Sequence, residues 1–180
     1  MSNPVLEAIR TRRIVRAMTD RPVERAGLEE VLKAARWAPS AGNRRLQQFV
    51  AVQDTLTIRL VRMVSPGMFQ RPTALVLICI DQERVAAFGM RPATPSLYID
   101  VGTAAQTMLL AAHSLGLGAG VVTSFSHAGV GEVLNLPARL SPEMFVCLGY
   151  PAPAQPPAIR PRTPVTWESL TAWERFRRPR

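Results

Sequence analysis

The stretch from Pro95 to Gly120, "PSLYIDVGTAAQTMLLAAHSLGLGAG", limits what this chain can fold into more than any other. Pro95-Ser96 opens a helix and the glycines stop it. Alanine, methionine and leucine dominate, and the helix is apolar almost all round. A helix on the surface of a domain carries its apolar residues on one stripe. An all-round apolar helix must therefore run through the centre of the fold or lie in an interface. In a chain of 180 residues, the reading favoured is a helix shared with a second subunit.

The remaining elements follow from local pattern. Asn3-Pro4 supplies an N-cap and a first-turn proline, so a helix runs from there to about Arg12. "IVRAMTDRPV" is extended or irregular. Leu28, Val31, Leu32 and Ala35 form the apolar stripe of a second helix. "QQFVAVQ" reads as a strand and "TIRLVRMV" as a helix ended by "SPG". "TALVLICID" is a continuous apolar, β-branched run, hence a strand buried on both faces. The glycines of "GLGAG" read as a helix C-cap and turn needing positive φ, and "VVTSF" as a short strand or loop. Ser126 caps "HAGVGEVLN", and "MFVCLGYP" is a strand ending at Gly149. A proline-rich connector, Pro151 to Pro164, leads to a final helix "WESLTAWERFRR". Helices and strands alternate, which predicts a mixed α+β or α/β domain over residues 1–180. The 151–180 tail is suited to wrapping around a partner.

Composition excludes several classes. The chain is 47% apolar, globular rather than disordered. No apolar run approaches the roughly 18 residues of a membrane span. "MSNPVLEAIRTRR" lacks the apolar segment of a secretory signal. Cys79 and Cys147 sit far apart inside apolar runs and read as buried reduced thiols, which with the missing signal predicts a cytoplasmic protein. The formal charge is +9, carried by arginine, with Lys33 the only lysine. A nucleic-acid binder would show such a balance. The basic residues cluster mainly at the two ends, however, and the middle has no aromatic interleaving, which argues against nucleic acid as a partner.

The chemistry-bearing residues are few. No CxxC, HExxH, GxSxG or P-loop occurs, and His113 and His127 stand alone, so metal catalysis and a Ser-His-Asp triad are not expected. "GLGAG" follows a helix, whereas a dinucleotide fingerprint follows a strand. Three polar spots remain: Arg12, Arg13 and Arg16; Ser40 to Arg45; and Arg160 with Arg162. Each alone reads as solvated surface. Together they offer several guanidinium groups and small hydrogen-bonding side chains to a phosphorylated ligand.

Four segments, in order, resemble the nitroreductase family of flavoproteins, and the likeness covers nearly the whole chain. "AIRTRRIVRAM" is similar to its N-terminal helix and Arg-Arg-Ser-x-Arg motif. "VLKAARWAPSAGNRRLQQFVAV" is similar to its helix, Ala-Pro-Ser-x-x-Asn-x-Gln-Pro-Trp loop and strand. "YIDVGTAAQTMLLAAHSLGLGAGVV" resembles its central helix and Gly-Leu-Gly turn, and "LGYPAPAQPPAIRPRTPV" its closing strand and basic tail. The resemblance implies an α+β sandwich, with a central, mainly antiparallel sheet flanked by helices, in an intertwined homodimer. It implies FMN at the dimer interface, NADH or NADPH as electron donor, and ping-pong reduction of a nitroaromatic or quinone.

By the same resemblance, Arg12 and Arg13 match phosphate-binding positions, and Arg16 a basic residue near the flavin pyrimidine. Pro39, Ser40 and Asn43 match a loop that reaches the flavin of the other subunit. Thr123 and Ser124 match the backbone beside flavin N5. Arg160 and Arg162 match tail residues that close over the phosphate. Ser65 falls where the family carries an amide side chain. Ile14 replaces the motif serine. Arg45, Leu46 and Gln47 replace Gln-Pro-Trp, which makes Arg45 a candidate for substrate choice. "SPGMFQRPTALVLICID" and "VTWESL" resemble a small-nitroreductase branch that includes the catalytic subunit of cyclic dipeptide oxidases. Desaturation of a peptide-like product is therefore the alternative reaction, and a basic, non-catalytic dimer the alternative outside enzymology.

Overall fold

The computed structural model describes residues 3–156 and 165–176. Helix α1, Pro4–Thr11, begins under an Asn3 cap whose side chain accepts from the N–H groups of Val5 and Leu6. Helix α2 spans Arg25–Arg36, strand β1 Gln47–Val52, and helix α3 Thr55–Met63 under an Asp54 cap. Strand β2, Ala74–Asp81, leads directly into a short helix α4, Gln82–Ala87, which Asp81 caps. Helix α5 is Pro95–Ser114, strand β3 Gly118–Val122, helix α6 His127–Val133 and strand β4 Leu140–Gly149.

The four strands form one antiparallel sheet in the order β1-β2-β4-β3. Every residue of β2 is buried, because its two faces serve two cores. Val76, Ile78 and Ile80 point to one layer with Val146 and Leu148 of β4, where α2 and α5 pack. Leu75, Leu77 and Cys79 point to the other with Phe145 and Cys147, where Ile58 and Val61 of α3 and Val130 of α6 pack. This period-two division is what an apolar run with no polar alternation encodes. Both cysteines are free and buried, and burial pushes each thiol up to about 12.

Helix α5 buries Leu97, Val101, Ala104, Ala105, Met108, Leu109 and Ala112, as its composition requires. Tyr98 and Ile99 stay exposed near its start. Helix α1 buries no residue, and its Val5, Leu6 and Ile9 face outward.

Three expectations are corrected. Strand β3 starts at Gly118 rather than Val121, so only Gly116 of the "GLGAG" glycines takes positive φ (72°). Gly118 and Gly120 are needed for close approach: a Cβ on Gly118 would lie 2.7 Å from the Val15 side chain. Strand β4 begins at Leu140, earlier than the apolar run suggests, and carries Pro142 at a register shift opposite Ile78 and Cys79, the irregular kind of position where a strand tolerates proline. "WESLTAWERFRR" forms only a 3-10 turn at Glu168–Leu170 among the described residues. Trp167, Leu170, Trp173 and Phe176 are exposed there, so no core contact supports a longer helix.

Candidate functional site

The segment after α1 is held against the edge strand of the sheet. Ile14 bridges Ala119 in parallel, and the Val15 N–H donates to the Ala119 carbonyl at 3.0 Å. Further along, Met18 bridges Pro151, and the Thr19 N–H donates to Tyr150. The start of the C-terminal tail closes over the same segment. Gln155 Oε1 accepts from the N–H groups of Arg16 and Ala17, both at 3.1 Å, and its Nε2 donates to the Ala17 carbonyl at 2.7 Å. Arg160 and Arg162 lie outside the described residues.

Arg12 is half-buried, and its Nη1 is sealed from solvent without a hydrogen-bond partner. It lines a cavity of about 270 Å³ with Thr11, His113, Gly116 and Pro151. A buried guanidinium nitrogen with nothing to donate to is costly unless a ligand supplies the acceptor. His113, at the end of α5, meets the Thr11 hydroxyl at 2.9 Å and so ties α1 to α5. Arg13 also borders this cavity, but its Nη1 is engaged, donating to the carbonyls of Arg10 and Arg12 at the C-terminal end of α1. Arg16 is half-buried beside Val15.

The far part of β3 meets a second polar group. A Cβ on Gly120 would lie 2.7 Å from Gln70 Nε2 and 3.3 Å from the Val15 carbonyl. Gln70 is buried and its Oε1 has no partner. Sequence reading missed it, because an amide between a helix and a strand carries no mark of burial. Ser65, just past α3, is also buried with an unpartnered hydroxyl. Beyond β3, Thr123 and Ser124 are exposed. The Ser124 carbonyl accepts from the Gly67 N–H at 3.0 Å, while the N–H groups of Thr123 and Ser124 donate to no acceptor among the described residues. Arg12, Arg16, Ser65, Gln70 and Thr123–Ser124 are thus strung along one sheet edge.

The Pro39–Arg45 loop is elsewhere. It is clamped to the first half of α5: the Ala41 N–H donates to Asp100 Oδ1 at 2.9 Å, and the Thr103 hydroxyl donates to the Pro39 carbonyl at 2.9 Å. Ser40 Oγ accepts from the Arg45 N–H at 3.2 Å. Gly42, Asn43 and Arg45 have φ of 61°, 53° and 50°. Asparagine tolerates that region; arginine there is strained, and such strain persists only where the surroundings impose it. Arg44 is anchored, 5.4 Å over the Phe88 ring. Arg45 is exposed and borders a cavity of about 300 Å³ with Arg36, Gln47, Phe49 and Ala104.

Asp100 and His113 stand near opposite ends of α5, about 20 Å apart at 1.5 Å per residue. One chain therefore does not bring Ser40 and Asn43 to Arg12. The two groups of candidate residues lie toward the two ends of its central helix.

With that geometry in view, likeness to known proteins settles the family. Residues 9–72 and 62–150 match the nitroreductase family. The chain belongs to the nitroreductase family. It is 33% identical to a protein of Methanothermobacter thermautotrophicus assigned as an NADH dehydrogenase/NAD(P)H nitroreductase, over 82% of this chain and 78% of that one. It is 28% identical to an FMN reductase [NAD(P)H] of Bacillus subtilis, over 90% of this chain and 71% of the other. A Desulfovibrio desulfuricans protein, assigned as a nitroreductase and crystallised in complex with FMN, superposes with a TM-score of 0.80 at 31% identity, covering 98% and 99% of the two chains. The expected α+β sandwich with its antiparallel sheet is therefore this family's fold, and the chain is a nitroreductase-family oxidoreductase. No described helix is long and apolar enough to cross a membrane.

Proposed function

We propose that two copies of this chain form a homodimer that binds FMN between them and oxidises NADH or NADPH, passing the electrons to a nitroaromatic, quinone or related acceptor. The observation that carries this reading is the unpartnered Arg12 Nη1 beside the sheet edge, taken with the FMN-bound relative. The residues present fit the group. Arg12 offers a half-buried cation with one sealed, unpartnered nitrogen to a phosphate, and Gly118 and Gly120 let Val15 and Gln70 close on the edge strand beside it. Ser65 and Gln70 supply buried polar atoms without partners.

In this reading Arg12 holds the phosphate, joined by Arg160 and Arg162 from the tail. Gln155 starts that tail on its course, since it is bound to the backbone of Arg16 and Ala17. Arg13 joins only by giving up its bonds to the α1 carbonyls. Arg16 places a cation where reduced flavin gathers negative charge. Ser65 and Gln70 face the pyrimidine side, and the free N–H groups of Thr123 and Ser124 the side where hydride arrives. Bound FMN supplies the redox chemistry: it accepts a hydride from the nicotinamide and releases two electrons to the acceptor. The chain's own part is to bind, orient and exclude water.

The partner copy completes the site. Pro39, Ser40 and Asn43 lie too far from Arg12 within one chain, and Asp100 holds their loop in place. The outward Val5, Leu6 and Ile9 of α1, Tyr98 and Ile99 of α5, and the tryptophans of the tail supply apolar surface for the second copy. Arg45, on the same loop, is proposed to influence which acceptor is taken.

The test is the absorbance spectrum of the purified protein. A flavin spectrum bleached by NADH or NADPH under argon is the expected result. A colourless protein that takes up no FMN on titration removes the proposal. Oxygen uptake with cyclic dipeptides and no turnover of NAD(P)H would favour the desaturating reaction instead.

A further inference from the structure

On the face of the sheet opposite α5, a cavity of about 370 Å³ opens between α3, the Asp20–Pro22 turn and the residues leading into β2. Three guanidinium groups line it: Arg59 and Arg62 from successive turns of α3, and Arg71 from before β2. Arg59 and Arg71 are exposed, whereas Arg62 is half-buried. Its Nε is shut off from solvent and hydrogen-bonds to nothing among the described residues. Its charge is felt at the buried Cys147 thiol, where it opposes the effect of burial. One carboxylate, Asp20, also lines the cavity. It forms no ion pair within 4.0 Å with any of the three arginines among the described residues. The walls are pinned by neutral bonds: Gln53 Nε2 donates to the Val23 carbonyl, and the Thr73 hydroxyl donates to the Arg21 carbonyl.

Three cations converging on a cavity with a single carboxylate that pairs with none of them, one with a sealed and unpartnered donor, are an unfavourable arrangement for an empty surface. A bound anion relieves both costs. Arginine forks match the geometry of phosphoryl oxygens, and the volume exceeds that of a lone phosphate. We propose that this cavity is a second anion site, independent of the one at Arg12, and that it takes a small ligand carrying a phosphoryl group or a pyrophosphate. The site is coupled to the sheet edge by a short path. The Arg62 carbonyl accepts from the Ser65 N–H, the Val64 carbonyl from Ser126, and the Ser124 carbonyl from Gly67. An anion that fixes Arg62 therefore steadies the turn that holds Ser65 and Ser124.

The probe is inorganic pyrophosphate, titrated calorimetrically at low ionic strength into protein saturated with FMN. One saturable event per chain is expected. Arg59→Gln with Arg71→Gln, both at exposed positions and so harmless to folding, should weaken it at least about tenfold, the size of one lost charge-assisted contact. Arg62→Gln, checked for folding by circular dichroism, should do the same. Arg45→Gln should leave the affinity unchanged. Absence of saturable binding by the wild-type chain, or equal affinity of the double variant, would overturn the proposal. If the protein takes up no FMN, amide shifts on adding pyrophosphate still decide the matter. Movement at Thr55–Arg62 supports the site, and movement confined to Thr11–Arg16 refutes it.

Discussion

The two ends of α5 are built to different rules. At the C-terminal end, Arg12 is half-buried with a sealed nitrogen that nothing in the described chain satisfies, and farther along the sheet edge the buried Ser65 and Gln70 are likewise unsatisfied. At the N-terminal end, the Pro39–Arg45 loop is tied by Asp100, Thr103 and Ser40, yet three of its residues sit at positive φ. One end is relaxed in backbone and short of hydrogen bonds. The other is bonded and strained. The first needs a ligand, and the second presents a shape. A receptor end and a presenting end on one rigid helix make sense when two copies pack so that each receptor meets the other's loop. This is the reading in which two partial sites become one.

The largest expected effect comes from cutting the loop's anchor. Asp100→Leu leaves the Ala41 N–H without its carboxylate and should lower stability by about 3 kcal/mol, the upper end for a lost charge-assisted bond. Flavin should be lost as well, although Asp100 lies far from Arg12. Chemical denaturation and flavin content measure the two effects, and flavin retention at wild-type level would break the comparison. The core joining the two ends offers a control. Both thiols are raised by burial from 9.0 to about 12, so between those values the native chain keeps protons that the unfolded chain releases. Stability should therefore fall as pH rises through that window, by about 1.4 kcal/mol per thiol at pH 10. Urea midpoints at pH 8 and pH 10 read the change, and both ends should be lost together.

The receptor end alone is addressed by Gly118→Ala. The added methyl would meet Val15 within 3.0 Å, which should cost about 2 kcal/mol and displace the Arg12–Arg16 segment. Weaker FMN binding with an unchanged midpoint would place the fault elsewhere. Arg12→Gln should weaken FMN about tenfold, or about 1.4 kcal/mol, with little change in stability. Flavin fluorescence titration measures it, and unchanged affinity would mean that the phosphate lies away from Arg12. The smallest effect on folding belongs to the strained end. Arg45→Asn should stay within about 0.5 kcal/mol of wild type, because asparagine accepts positive φ. Its kcat/KM should shift between anionic and neutral quinones, and an unaltered ratio would remove Arg45 from acceptor choice.

Much of the fold was legible because it rests on local pattern. The β2 run, the α2 stripe and the Asn3 and Ser126 caps each declare themselves within a few residues. What was not legible depends on distant partners. Glycine serves both positive φ and close approach, and only Val15, a hundred residues away, decides which applies at Gly118. The tail has the composition of a helix, but a helix of that length needs a surface to lie on, and the described chain offers it none. Arginine, serine and glutamine look alike in a sequence whether solvated or buried, so the sealed nitrogens of Arg12 and Arg62 and the amide of Gln70 had no signature. The motif order named the candidate residues. That they fall at two ends of one helix is a property of the folded chain alone.

Complementation between two defective chains tests the shared site most directly. Arg12→Gln disables the receptor end and Asp100→Leu the presenting end, and the two variants are mixed under conditions that exchange subunits. Random pairing makes half the dimers mixed, each with one site carrying both defects and one carrying neither, so about a quarter of sites should bind FMN at wild-type affinity. Recovery to that level, from two variants that each bind weakly alone, is the predicted result. No recovery in a mixture shown to contain mixed dimers would mean that each chain builds its flavin site by itself.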